Sequence, residues 1–268
     1  MTFPLLGRHN DRLKLLRSLA KGSGREASGC FAAEGLRVIR ELLSSPLRVR
    51  LLLCEAQAGG EELELAHLAV RRGAEVFFAD SQLLEQLSSA KTSQGLLAVA
   101  EIPKYTWDEV LSCPRVLVLE GIQDPGNVGT LLRSGRAFGF GGALCLGGAD
   151  PFNARAVRSS AGAAFVMPLM RLSEPADIEA CFGRMRSAGL ALVTAAAHGG
   201  TPLTQAVFPG RAALLLGAEV RGVSRMASSV ASLEVTIPLQ GSCESLNVAV
   251  AGSLLMYEMG RTPRSEAV

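Results

Sequence analysis

Five short runs in the second half of the chain, residues 116–119, 143–146, 190–194, 213–216 and 233–237, are almost wholly apolar. A strand with one wet face alternates apolar and polar side chains; these do not, so both faces must be covered. Helix-compatible stretches at 128–138, 153–161, 176–187 and 246–259 fall between or after them. Strand–helix alternation of this kind predicts an α/β domain with a parallel sheet and right-handed crossovers. In such sheets ligands gather at the carboxyl ends of the strands.

The front half alternates as well. Residues 9–20 place leucines at 13, 16 and 19 between basic residues, an amphipathic helix capped by Asn10 or Asp11. A Gly/Ser loop at 21–29 precedes a second helix at 31–43. Strands are expected at 49–54, 75–78 and 96–100, and helices at 61–71 and from the Asp80 cap to Leu87. The alternation closes near residue 101. The following IPKYTWDEVLSCP holds the only Trp and has no clear period. The expected organisation is a smaller α/β domain over 1–102, a linker over 103–113, a second domain over 114–262 and a polar tail over 263–268.

Hydrophobic residues make up 48% of the chain and charged residues 19%, which excludes disorder by composition. A net charge of +2 does not indicate nucleic acid. The distribution says more, since Arg8, Arg12, Lys14, Arg17, Lys21 and Arg25 face only Asp11. That segment suits phosphates or a solvated helix face. No apolar run approaches the ~18 residues of a membrane span, and residues 1–10 contain no signal-peptide core. Six scattered cysteines without a C-x-x-C pair predict neither metal nor disulfides, and a reducing cytoplasm. Cys54 and Cys145 sit in apolar runs and read as core.

Three strand ends run into unusual loops. The first, 120–129, has glycines at 121, 126 and 129 that miss G-x-G-x-x-G, and no G-K-[ST] follows. The second, LLLGAEVRGVS, places Gly217, Glu219 and Gly222 around a turn. The third, from Ile237, passes Pro238 and Gly241 to Ser245 and Asn247 at the start of an apolar helix. Singly, each has an ordinary reading: Asn127 as a positive-φ turn residue, Arg133 as a solvated helix charge, Glu219 and Ser245 as helix caps. VRSSAGAAF, around Ser159 and Ser160, lacks the G-x-S-x-G of a hydrolase.

In order, the three loops resemble the SpoU (TrmH-like) family of SPOUT methyltransferases. Asn127, Gly129 and Arg133 resemble its first motif. Gly217, Glu219 and Gly222 resemble the second, and Ile237, Pro238, Ser245, Leu246, Asn247 and Val248 the third. Ala218 departs from the pattern, since many members carry Asn there. The likeness covers about residues 114–260. The front half is similar to the L30e-like RNA-binding domain that precedes this domain in many members.

The resemblance implies methyl transfer from S-adenosylmethionine to a ribose 2′-hydroxyl in RNA, ribosomal RNA before transfer RNA. It implies a deep C-terminal trefoil knot and a homodimer through the C-terminal domain, with a site completed across the interface. The implied catalytic set is Asn127, Arg133, Glu219, Ser245 and Asn247. The implied cofactor contacts are Gly217, Ile237 and Leu246. The TAAAHGG loop reads as a further wall, His198 as a loop residue outside the family motif, and Cys243 as a tolerated small residue or a cofactor contact. A guanidinium keeps its proton, so Arg133 is expected to act by electrostatic activation. A non-catalytic RNA-binding factor is the competing class, and a dinucleotide enzyme is disfavoured by the missing fingerprint.

Overall fold

The computed structural model describes residues 3–7, 10–89, 94–219, 221–241 and 245–261. In chain order its elements begin with α1 (Arg12–Ser18), α2 (Gly22–Ser28), β1 (Cys30–Glu34), α3 (Leu36–Ser44), β2 (Val49–Glu55), α4 (Glu61–Arg71), β3 (Glu75–Ala79), α5 (Ser81–Leu87) and β4 (Leu96–Glu101). They continue with α6 (Trp107–Leu111), β5 (Arg115–Glu120), α7 (Pro125–Ala137), β6 (Gly142–Leu146), α8 (Ala154–Ser160), β7 (Leu169–Leu172), α9 (Pro175–Ser187) and β8 (Ala191–Ala195). The last are β9 (Thr201–Pro202), β10 (Ala212–Gly217), α10 (Arg225–Val230), β11 (Leu233–Thr236) and α11 (Val248–Arg261). The chain forms two compact units. One comprises Met1–Pro103 with Phe152–Val166; the other comprises Lys104–Pro151 with Met167–Val268.

The first unit holds a four-stranded sheet in the order β1-β4-β2-β3, antiparallel except for the β2–β3 pair. One core cluster gathers Leu13 and Leu16 of α1 and Leu83 and Leu84 of α5 over Leu51, Leu53, Leu97 and Val99. Asp80 caps α5 by accepting from the Leu83 amide at 2.6 Å. Two expectations fail here. Residues 30–34 form a strand paired with β4 rather than the start of a helix, because that pairing buries the fully enclosed Phe31. The expected loop at 21–29 is largely helical; Arg25, only 4% exposed, donates to the Leu19 carbonyl at 2.7 Å and ties the turn down.

Phe152–Val166 belongs to this unit although it lies between two strands of the other sheet. Phe31 stacks on Phe165 with centroids 5.8 Å apart and meets Phe152 at 5.1 Å. Arg158 faces the buried carboxylate of Glu34, which also accepts from Ser88 and Ser89. VRSSAGAAF is thus a packing segment, with Ser160 fully buried and donating to the Val157 carbonyl. The basic N-terminal charges are partly consumed. Arg12 pairs with Glu75 and Lys14 with Asp11, leaving Arg17 and Lys21 exposed without an ion pair among the described residues.

The second unit holds an all-parallel sheet in the order β7-β6-β5-β10-β8-β11-β9. The period-2 pleat divides its apolar side chains. Val116, Val118, Leu144, Leu146, Ala213 and Leu215 pack with α6, α9 and α10. Leu117 and Leu216 face the other way, toward Gly135 of α7 and Gly252 of α11. A Cβ on Gly252 would lie 2.5 Å from side-chain carbons of Leu131 and Leu216, so the missing side chain lets α11 seat closely. Ser134 and Ser253 hydroxyls meet across α7 and α11 at 2.8 Å. The stretch expected as a linker carries α6, closed by a Thr106–Glu109 capping box and buried through Val110 and Leu111.

Candidate active site

The carboxyl ends of β5, β10 and β8 lie side by side, with Glu120 opposite Gly217 in register. Asp124 accepts from the amides of Gly126 at 2.6 Å and Asn127 at 3.1 Å, and Pro125 occupies the first helical turn, so α7 starts before Asn127. Asn127 is therefore helical, not a positive-φ turn residue. Its Nδ2 donates to Glu219 Oε1 at 2.9 Å.

Glu219 is presented by a chain reversal after β10. The Gly222 amide donates to the Ala218 carbonyl at 2.8 Å, and Gly222 adopts φ +65°. Gly217 allows this closeness. A Cβ there would lie 2.2 Å from Gly222 backbone atoms and 2.4 Å from Val223 N. From the third loop, Asn247 Nδ2 donates to Asn127 Oδ1 at 3.2 Å. The Asn247 Oδ1 accepts from the amides of Ala249 at 2.9 Å and Val250 at 3.4 Å. Asn247, not Ser245, is thus the side chain that caps α11. One residue from each loop joins a continuous amide–amide–carboxylate chain, in which every donor and acceptor agrees with its neighbour.

Beside this chain lies a cleft lined by Ala195, Ala196, Ala197, Gly217, Ala218, Glu219, Val235, Ile237, Leu239, Ser245, Leu246, Val248, Ala251 and Leu255. Gly217, Ile237 and Leu246 all line it, as does TAAAHGG through its alanines; His198 is exposed and outside it. Ser245 is exposed at the rim, and Cys243 falls outside the described residues. Arg133 is not drawn into the cluster. It is exposed, makes no ion pair or hydrogen bond among the described residues, and sits roughly 9 Å further along α7 than Asn127.

Sequence reasoning missed Glu120, whose Oε2 accepts from the Ser224 amide at 2.8 Å. Its only signal was a carboxylate ending an otherwise apolar strand. A wider depression at the amino ends of the strands includes Trp107, Arg184 and Arg211. Its cations are already engaged: Arg211 binds the carbonyls of Leu111, Ser112 and Ala188, and Arg184 stands over Trp107 at 5.0 Å. Among the described residues no cluster of His, Cys, Asp or Glu suits a metal ion.

Residues 10–98 match the MRM3-like substrate binding domain, and residues 114–257 the SpoU rRNA Methylase family. The chain is 27% identical over 252 residues to the 23S rRNA (guanosine(2553)-2′-O)-methyltransferase RlmP of Bacillus subtilis, covering 93% of this chain and 96% of that protein. It is 27% identical to the 23S rRNA (guanosine-2′-O-)-methyltransferase RlmB of Salmonella typhimurium, over 85% of this chain and 96% of that one. Among solved structures, the SpoU methyltransferase AviRb of Streptomyces viridochromogenes, in complex with AdoMet, superposes with a TM-score of 0.84 at 27% identity, covering 97% of this chain and 100% of that one. The family match takes in more than half of the sequence and every residue of the Asn247–Asn127–Glu219 chain, so this protein belongs to the SpoU rRNA methylase family.

Proposed function

We propose that this protein transfers a methyl group from S-adenosylmethionine to a ribose 2′-hydroxyl of ribosomal RNA. The observation that carries the reading is the meeting of three separate loops in one hydrogen-bonded chain, Asn247–Asn127–Glu219, beside an apolar cleft. The cleft suits the cofactor: Ile237, Leu239 and Leu246 offer apolar walls for an adenine, and the bare backbone at Gly217 allows close approach. S-Adenosylmethionine, when bound, supplies an electrophilic methyl on a sulfonium.

The remaining work falls to the protein. A ribose hydroxyl is a weak nucleophile until its oxygen gains negative charge. Arg133 presents its guanidinium on an exposed helix face, suited to the 2′-oxygen and a neighbouring phosphate. The 2′-proton leaves to phosphate or water. Glu219 fixes the Asn127 amide, and Asn127 and Asn247 with Ser245 orient the ribose. Accurate positioning is the main contribution such a site makes.

The reading includes a homodimer formed through the second unit, with Arg133 of one protomer completing the site of its partner. Its support is that Arg133 stands apart from the cluster, and that Val250, Leu254 and Tyr257 form an exposed apolar stripe on α11, at 50%, 42% and 47% exposure. The first unit serves as the L30e-like RNA-recognition domain and the second carries the deep trefoil knot. The setting is the cytoplasm; no helix among the described residues is long and apolar enough to cross a membrane.

Incubation with methyl-labelled S-adenosylmethionine and purified ribosomal or transfer RNA tests the assignment. Label is expected on ribose in ribosomal RNA. Label confined to bases would overturn the 2′-O assignment, label confined to transfer RNA would overturn the target, and cofactor binding without transfer would favour a non-catalytic RNA-binding factor.

A further inference from the structure

We infer that Glu120 is a positioning residue for methyl transfer, acting through the loop that carries Glu219. The inference rests on the function proposed above and adds a residue to it. Glu120 ends β5, hydrogen-bonded in register between Gly217 of β10 and Leu146 of β6. Its Oε2 accepts from the Ser224 backbone amide at 2.8 Å. Ser224 is where the loop ends, since its hydroxyl accepts from Ala227 at 3.1 Å and starts α10.

The loop from Gly217 to Ser224 is therefore pinned twice. At its start, Gly217 lies against Gly222 with no space for a Cβ. At its end, a carboxylate from the neighbouring strand holds the Ser224 amide. Between the two pins stands Glu219, which reaches Asn127 at 2.9 Å and lines the cleft. A hydrogen bond that a backbone amide donates to a carboxyl side chain is among the stronger kinds. Its partner is main chain, so it sets the path of the loop and not merely one rotamer. Glu120 does not line the cleft.

Two substitutions separate positioning from bulk stability. Glu120→Gln keeps an oxygen that accepts from Ser224, whereas Glu120→Ala keeps none. Ser224→Ala is the control: it removes the α10 cap but leaves the backbone amide that Glu120 holds. Readouts are kcat and KM for RNA, S-adenosylhomocysteine affinity by calorimetry, amide exchange at Ser224, and Tm. Glu120→Ala is expected to lower kcat on the order of a hundredfold, the scale of a displacement of about 1 Å in an active site. KM for RNA should change less than threefold, and the Ser224 amide should lose its protection. Glu120→Gln should recover kcat to within tenfold of the parent and keep that protection. Ser224→Ala should lower Tm with kcat near the parent value. The inference is overturned if Glu120→Ala keeps full kcat, if Ser224 protection survives it, if Gln does not rescue, or if Ser224→Ala loses as much kcat as Glu120→Ala. A parent protein that protects Ser224 through Glu120 yet methylates no RNA would instead overturn the proposed function, because exchange is read without turnover.

Discussion

Replacing Gly217 by alanine adds one methyl group at the point where three roles meet: strand end, loop hinge and cleft wall. The added Cβ would stand 2.2 Å from both carbonyl atoms of Gly222 and 2.4 Å from Val223 N, whereas ordinary contact begins near 3.4 Å. These neighbours are backbone, so no rotamer change makes room. The loop must retreat by about 1 Å, and a misplacement of that size costs on the order of a hundredfold in rate. Glu219 rides on this loop, so its 2.9 Å bond to Asn127 lengthens and Asn127 loses its anchor. Gly217 is also cleft wall, so cofactor affinity should fall together with kcat. The assay is initial-rate transfer of labelled methyl to ribosomal RNA, paired with calorimetric titration of S-adenosylhomocysteine. Circular dichroism confirms that the sheet survives. A Gly217→Ala protein with parental kcat/KM and parental affinity would refute the reasoning, because it would mean that the closeness of Gly217 to Gly222 does not hold the site.

Further outcomes follow from other residues. Arg133→Ala should abolish transfer while leaving S-adenosylhomocysteine affinity within about twofold, since Arg133 does not line the cleft; equal loss of both would assign it to the cofactor. Phe165→Ala removes a fully buried ring from the Phe31–Phe152–Phe165 cluster and should cost about 3–5 kcal/mol in denaturant unfolding; a loss under 1 kcal/mol would mean the ring is not held there in solution. Leu254→Arg should halve the mass seen by light scattering from about twice 28.1 kDa and remove transfer with it, whereas an active monomer would refute the shared site. Brief iodoacetamide treatment near neutral pH should label Cys113 ahead of Cys54, Cys145 and Cys181, whose burial hides them and pushes their thiols up to about 11, 12 and 12; mass spectrometry reads the order.

The second sheet was legible because its strands are buried on both faces, which leaves unbroken apolar runs that no other element imitates at that length. The edge strands β7 and β9 were not, since Leu169–Leu172 carries Arg171 and Thr201–Pro202 is only two residues long. β1 is hard to read because CFAAE has no period-2 alternation and only the single Gly35, at φ +96°, separates it from the following helix; its pairing with β4 makes it extended. Two misses carried local signals. T-W-D-E at residues 106–109 is a capping box, and Asp124-Pro125 is a cap followed by proline at the first helical turn, yet they were expected as linker and loop. In the candidate site, motif order singles out Asn127, Glu219 and Asn247, and packing brings the three side chains together. Spacing could not tell that Asn247 rather than Ser245 caps α11, nor that Arg133 stands off the cluster.

The excursion of Phe152–Val166 has a consequence for engineering. Substrate choice in a two-part enzyme invites exchange of the recognition part, and a cut near residue 103 would be the natural splice. Here that graft would be incomplete, because the unit to be moved is discontinuous in the gene. A foreign first segment would meet Phe152, Phe165 and Arg158 without their Phe31 and Glu34 counterparts. A working chimera must transplant two pieces of sequence together, so the first unit of this chain moves as a split cassette rather than as a removable head.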